Sequence, residues 1–445
     1  MMSLAGSYNT LASGYNAVGV NPANLAFEKK TFISILGTNT SISNNLFNQY
    51  RLDDISGIYL DSTKKEQIIG YLNDGPIIIK TLNESPIGIN FSKKNIAITS
   101  KVKTFSSFEL SKDFLDIFLN GNSQVGDDFV YSLSMKNNLT IIWETSFSKA
   151  FSLDPLGFGF TIKYLRGLLH YQIEPTKEPF FQTTFEGISS KNTYVMNKNF
   201  GGEGIALDLG LSTKRLDSGW KFGFSMINLG GVLKWNKFSP KMLDLSDEEI
   251  NQSYLINLTV KDINAQNLNN LPTDEIFIID SFDVYEVLNL PESININHED
   301  STFFCSDINC SSYYIESDEY SLDSLDLRDK SKVTTNYPTN INFGFSKILE
   351  SNRMILFDMV TGMDLTWGNS QNWRLSLGYI LNLNKNPFRF GLSYGGYDYK
   401  SIGVGYGVKS LNEKINLDFG ISYMDSYKFS KSSGLELGFN IYYKK

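Results

Sequence analysis

Catalysis needs nucleophiles, acids and bases held close together, and the side chains that most often serve are scarce in this sequence. It has two histidines and two cysteines in 445 residues. His170 follows Arg166-Gly167-Leu168-Leu169 at an expected strand end or loop, where a solvated or interfacial place is anticipated. A Ser-His-acid hydrolase would need a nucleophile and an orienting partner at that imidazole, and no motif supplies them. His298 lies in a different region. Cys305 and Cys310 can close a small disulfide loop outside the cytoplasm if the backbone turns between them; two unpaired thiols are the alternative. A zinc site with His298 as third ligand lacks a fourth. Asp318, Glu319, Asp323, Asp326 and Asp329 offer oxygen ligands for Ca²⁺ without the spacing or the turn glycine of an EF-hand, so a solvated acidic loop is expected. Gly403 to Ser410 approaches a phosphate-binding loop, but Val408 stands where that motif needs glycine before Lys409. No catalytic residue, metal or cofactor is therefore expected, and the chain is not read as an enzyme.

The elements that must position these residues are strands. In Glu413 to Tyr423, Ile415, Leu417, Phe419, Ile421 and Tyr423 fall on one face, with Lys414, Asn416, Asp418, Gly420 and Ser422 on the other. The same split recurs at 435–443, 373–381, 388–394 and 402–408, separated by short turns, which is an antiparallel up-and-down meander. Earlier copies lie at 158–164, 205–211 and 220–226, and less regular ones near 31–41, 87–104, 137–150, 179–199, 339–349 and 354–365. The sum is about fourteen strands, each roughly 9–11 residues, the length that crosses a bilayer at a tilt.

A soluble β-sandwich also alternates, with its apolar face turned to a core. Two details favour a membrane barrel. The polar faces are rich in Gly and Ser, as a crowded lumen requires, whereas Gly on a solvent face weakens a strand. The apolar faces carry Trp373, Tyr394, Tyr423 and Tyr443 near strand ends, where an interfacial girdle sits. Aromatic residues make up 14% of the chain while mean hydropathy is still -0.19, the signature of alternation rather than of apolar runs. No window approaches 18 consecutive apolar residues, so a membrane-spanning helix is not expected. The fold class is all-β, a transmembrane antiparallel barrel.

Net charge is -8, which argues against a general nucleic-acid partner. That charge is unevenly placed. Lys241 to Tyr337 holds 20 acidic and 5 basic residues, a net of -15 that leaves +7 on the rest of the chain. We expect barrel halves at 31–231 and 339–445, with an acidic insertion at 232–338 between them. Seven strands on each side put this insertion at the end away from the termini, which is extracellular in bacterial barrels. Ser106 to Asn120 reads as a short amphipathic helix stopped by Gly121-Asn122.

The start, Met1 to Gly6, shows neither a basic n-region nor an apolar h-region. Taken alone this reads as cytoplasmic; with the strand pattern, the expectation is a chain beginning near its mature end, its signal peptide cleaved or missing.

The N-terminal run from Ala12 to Ala26 contains Asn21-Pro22-Ala23 after a small-residue stretch. It resembles the start of the FadL-like outer-membrane proteins and, more closely, of the DUF5723 barrel family, relatives of the PorV-type barrels. The likeness continues at Phe108 to Asn122, Tyr337 to Gly344 and Pro387 to Gly396. Lys444 and Lys445 depart from it, since such barrels usually finish on an aromatic residue. The resemblance implies a fourteen-strand barrel in the bacterial outer membrane, inserted by the barrel assembly machinery, contacting outer-membrane lipids, with residues 1–30 folded inward as a plug. The first reading is a passive channel for hydrophobic or amphipathic small molecules, gated at Asn21, Pro22 and Ala23, with Arg374, Arg389, Lys409 and Asp418, on the polar strand faces, as lumen contacts. The alternative is a PorV-like structural barrel that docks secreted or surface cargo proteins and transports nothing.

Overall fold

The structure, a computed structural model, describes residues 2–57, 59–73, 75–121, 130–175, 179–183, 188–235, 251–263, 314–316, 333–350, 352–383, 385–396, 400–410, 414–427 and 433–445. Alternating sequences form two-faced strands, and fourteen of them pair in chain order. They are β1 (Thr31–Asn44), β2 (Ile77–Pro86, continued by Phe91–Lys93), β3 (Ile96–Leu110), β4 (Met135–Leu153), β5 (Leu156–Pro175), β6 (Gly202–Thr213) and β7 (Trp220–Trp235). After the insertion come β8 (Asn340–Leu349), β9 (Arg353–Gly362), β10 (Arg374–Leu381), β11 (Phe388–Gly395), β12 (Lys400–Lys409), β13 (Ile415–Met424) and β14 (Gly434–Lys444). Every neighbouring pair is antiparallel, and β14 returns to β1 in a register running from Phe32 opposite Lys444 to Ser43 opposite Gly434. The sheet closes, so the wall has no free edge.

Burial runs opposite to that of a water-soluble sandwich. Phe147, Ile162, Phe222, Leu377 and Phe419 are exposed on the outer surface, while Ser148, Thr161, Ser225, Ser376 and Ser422 are buried inside. Inner hydroxyls pair with one another, Ser148 with Thr161 at 2.8 Å and Ser393 with Ser401 at 2.6 Å. An apolar belt outside a polar interior is a membrane barrel. Trp373 and Tyr394 are exposed on it at strand ends.

The count of fourteen conceals two compensating differences from the sequence reading. Ile77–Pro86 is a wall strand that the pattern does not signal, because three consecutive isoleucines and a terminal proline hide its alternation. The stretch at 179–199 is not part of the closed wall. Its pieces Phe180–Thr183 and Ile188–Asn199 pair with each other, and the second continues the sheet onto the outer part of β5 and onto Asn251–Ile263. Seven wall strands still precede the insertion, so it leaves from the end opposite the termini. The insertion is also narrower than 232–338, since β7 reaches Trp235 and Val333–Asn336 pairs with it.

The expected helix over Ser106 to Asn120 is corrected at its start. Ser106–Leu110 is strand, bonded on both sides to β2 and β4, and the helix α1 (Lys112–Asn120) begins only after Ser111. Two flanking strands satisfy those backbone groups, which an isolated helical turn could not match. Gly121 ends α1 with φ +69°.

Candidate functional site

The N-terminal segment occupies the barrel interior as three short 3₁₀ turns, Met2–Leu4, Gly14–Ala17 and Pro22–Phe27. Proline suits the first position of the last turn because it has no N–H to satisfy, and Asn21 caps that turn by accepting the Ala23 N–H at 3.1 Å. The same amide donates to Asn9 Oδ1 at 2.8 Å and to the Leu211 carbonyl of β6 at 3.1 Å. Asn24 donates to the Asn9 carbonyl at 2.7 Å and accepts from Ser212 at 3.0 Å. Asn21 and Ala23 are fully buried, and Pro22 is buried between them. The turn is thus fastened to the wall by side-chain amides.

Lumen glycines make room for this segment. A Cβ on Gly391 would run into the backbone of Leu4, and one on Gly159 into the backbone of Pro22. The glycines of the Gly403 to Ser410 stretch serve the same end, Gly403 lying against the Met2 carbonyl. Asp358 on β9 accepts the Tyr8 N–H at 2.5 Å and the Asn9 N–H at 2.6 Å. The sequence reading missed this carboxylate. Its signal was an acid on a strand position whose neighbours Phe357 and Met359 are apolar. Burial pushes the Tyr8 and Tyr15 phenols up, so both stay protonated.

Between segment and wall lies a cavity of about 380 Å³. Leu4, Tyr8 and Tyr15 face it from the segment; Glu84, Lys103 and Asp418 face it from the wall. Arg389, Lys409 and Asp418 come together at its inner end, Arg389 donating to Asp418 at 2.7 Å. Arg374 is placed elsewhere, its guanidinium packed beside Gly6.

Farther out, the wall carries a ladder of charges that the sequence reading did not single out. Lys101 meets Glu84 at 2.7 Å, and Lys103 meets Glu144 at 3.0 Å and Glu84 at 3.6 Å. Tyr337 donates to Glu144 and also receives Lys103 at 2.6 Å. On the next two strands Lys163 and Asp208 pair at 2.8 Å. The charged residues come from five strands, and only the register of neighbouring strands brings them into one row.

The wall is interrupted beside this ladder. Pairing of β1 with β2 runs from Asn44 opposite Ile79 to Asn39 opposite Glu84, then resumes at Ile33 opposite Phe91. Four residues, Ile87 to Asn90, stand where β3 offers only Thr99 and Ser100. Gly88 turns there at φ +70°. The Asn90 side chain replaces lost ladder bonds, donating to the Ser100 carbonyl at 2.9 Å and accepting the Ser100 N–H at 3.1 Å. Ile35, Leu36, Ile87 and Ile89 are exposed on the outside of the break, while Gly37, Thr38, Pro86 and Asn90 reach the cavity within.

His170 is not at a loop. β5 runs on to Pro175, and the imidazole is buried, with Nδ1 3.0 Å from Thr140 Oγ1 and its ring stacked on Trp235 at 5.2 Å. Cys305, Cys310, His298 and the acidic cluster from Asp318 to Asp329 lie outside the described residues. Among the described residues no group of three or more His, Cys, Asp or Glu is arranged to hold a metal.

No family model matches the sequence, the family suggested by the N-terminal motif included, and no curated protein matches it. Solved structures are similar over nearly the whole chain. The toluene transporter TbuX of Ralstonia pickettii is 13% identical with a TM-score of 0.46, covering 100% of this chain and 96% of its own. The P. putida toluene transporter TodX is 10% identical with a TM-score of 0.42, covering 97% and 94%. A Pseudomonas aeruginosa FadL homologue is 11% identical with a TM-score of 0.43, covering 98% and 95%. Closure and inverted burial establish the membrane-type β-barrel on their own.

Proposed function

We propose that the protein is a passive channel of the bacterial outer membrane for hydrophobic or amphipathic small molecules. The N-terminal segment is its plug, and the turn at Asn21, Pro22 and Ala23 is the gate. Outer-membrane lipids surround the apolar belt, and the barrel assembly machinery inserts the chain. One observation carries the reading: the cavity beside the plug extends to the interruption between β1 and β2, which gives an apolar solute a path into the bilayer. Arg389, Lys409 and Asp418 at the inner end serve as polar contacts for part of the solute. Arg374, packed against Gly6, is assigned to holding the plug.

The test uses a staple across the break. Thr38 Oγ1 and Ser85 Oγ are 2.8 Å apart, so cysteines at both positions bring their sulfurs within bonding reach. Oxidised Thr38→Cys/Ser85→Cys protein is expected to slow uptake of N-phenyl-1-naphthylamine by intact Gram-negative cells, with recovery on reduction. Equal uptake in both redox states counts against the lateral path. Docking of secreted or surface proteins through the acidic insertion is the competing function, and deletion of residues 241–332 separates the two.

A further inference from the structure

The cations on the outer part of the cavity wall do not stand alone. Lys101 lies 2.7 Å from Glu84, and Lys103 lies 3.0 Å from Glu144 with Glu84 and the Tyr337 hydroxyl also in reach. Two lysines thus face two carboxylates, and the row is neutral. Lysine and glutamate side chains here are at most 29% exposed, and an ion pair so shielded is screened less than a surface one. An anionic solute that used either lysine would have to displace a glutamate from it and leave that carboxylate uncompensated beside its own charge. An uncharged solute needs no such exchange. It can hydrogen-bond to the protonated phenols of Tyr8 and Tyr15 that face the same space.

We propose that Glu84 and Glu144 determine specificity by neutralising Lys101 and Lys103, so that the cavity takes uncharged amphipathic molecules bearing a hydroxyl and turns away carboxylates. This rests on the channel reading and names the ligand class for it. Lys409 and Lys444 also line the cavity, at its inner mouth, and Lys444 sits 4.9 Å over the Phe32 ring.

Titration of the full chain in lipid nanodiscs with 2-naphthol and 2-naphthoate at neutral pH tests the assignment, with protein-free nanodiscs as the blank. The two probes share a ring system and differ in charge. The wild type is expected to bind 2-naphthol, with 2-naphthoate at least about tenfold weaker. Glu84→Gln keeps the shape and releases Lys101, and is expected to raise the affinity for 2-naphthoate relative to 2-naphthol about tenfold. Adding Lys101→Met to that variant is expected to abolish the gain, an effect that mere loosening of the wall would not give. Equal or tighter binding of 2-naphthoate by the wild type, or no gain in Glu84→Gln, overturns the assignment and leaves the channel intact. Failure of both probes to bind overturns the channel reading, and the assignment with it.

Discussion

Lys163 and Asp208 form an ion pair at 2.8 Å in which neither side chain has any solvent exposure. The pair sits on β5 and β6 under the N-terminal segment, with Asn228 accepting from the same ammonium at 2.5 Å and donating its backbone N–H to Asp208 at 2.8 Å. Removing one partner leaves a buried charge without compensation. Asp208→Leu is expected to cost about 3–5 kcal/mol of barrel stability, whereas Lys163→Met combined with Asp208→Leu costs much less. Urea unfolding of the lipid-reconstituted proteins measures both, and a double variant as unstable as the single one would contradict it.

Asp358 holds the plug through charge-assisted bonds to two backbone N–H groups. Asp358→Asn keeps the shape and loses the charge, which is worth about 1–2 kcal/mol for bonds of this kind. Hydrogen exchange at Tyr8 and Asn9 should speed up about tenfold or more, with exchange in β9 itself unchanged.

The close approach of Leu4 to Gly391 leaves no space for a side chain. Gly391→Val is expected to push the first turn of the plug out of place while the outward pattern of β11 is kept. Single-channel conductance in planar bilayers should rise, and a protease cleaving near Met2–Leu4 should gain access. Unchanged conductance would mean that the segment does not limit the passage.

The wall does not depend on the insertion, because β7 pairs directly with β8 from Trp220 opposite Lys347 to Ile227 opposite Asn340. Deletion should stop short of Val333–Asn336 and Tyr337, which pair with β7 and with Glu144. Removal of residues 241–332 is therefore expected to leave a folded barrel with solute uptake intact. Loss of surface display of a cargo protein with uptake unchanged would instead favour docking.

Asn90 stitches the break in β2 with two bonds to Ser100. Asn90→Ala removes both and leaves the Ser100 N–H unsatisfied in a half-buried place. A loss of about 1–3 kcal/mol in stability is expected, together with altered uptake, and thermal unfolding with an uptake assay reads both.

Alternation determined that the chain is all-β, because a period of two sends successive side chains to opposite faces wherever the strand is placed. The Gly- and Ser-rich polar faces with aromatic strand ends separated a membrane barrel from a sandwich. Charge partition marked the acidic region between the two halves, and the motif Asn21-Pro22-Ala23, singled out by its resemblance, is a turn whose cap the structure contains. Pattern could not decide which segments belong to the closed wall. Ile77–Pro86 joins it and 179–199 extends the sheet beyond it, since that choice depends on which edges remain open after the other strands pair. The neutral row of Glu84, Lys101, Lys103 and Glu144 was equally invisible, as it joins residues sixty positions apart through strand register. His170 shows the same limit, its burial against Trp235 arising from a strand longer than its pattern. Local periodicity reports which way a side chain points; only the register of paired strands decides what it meets there.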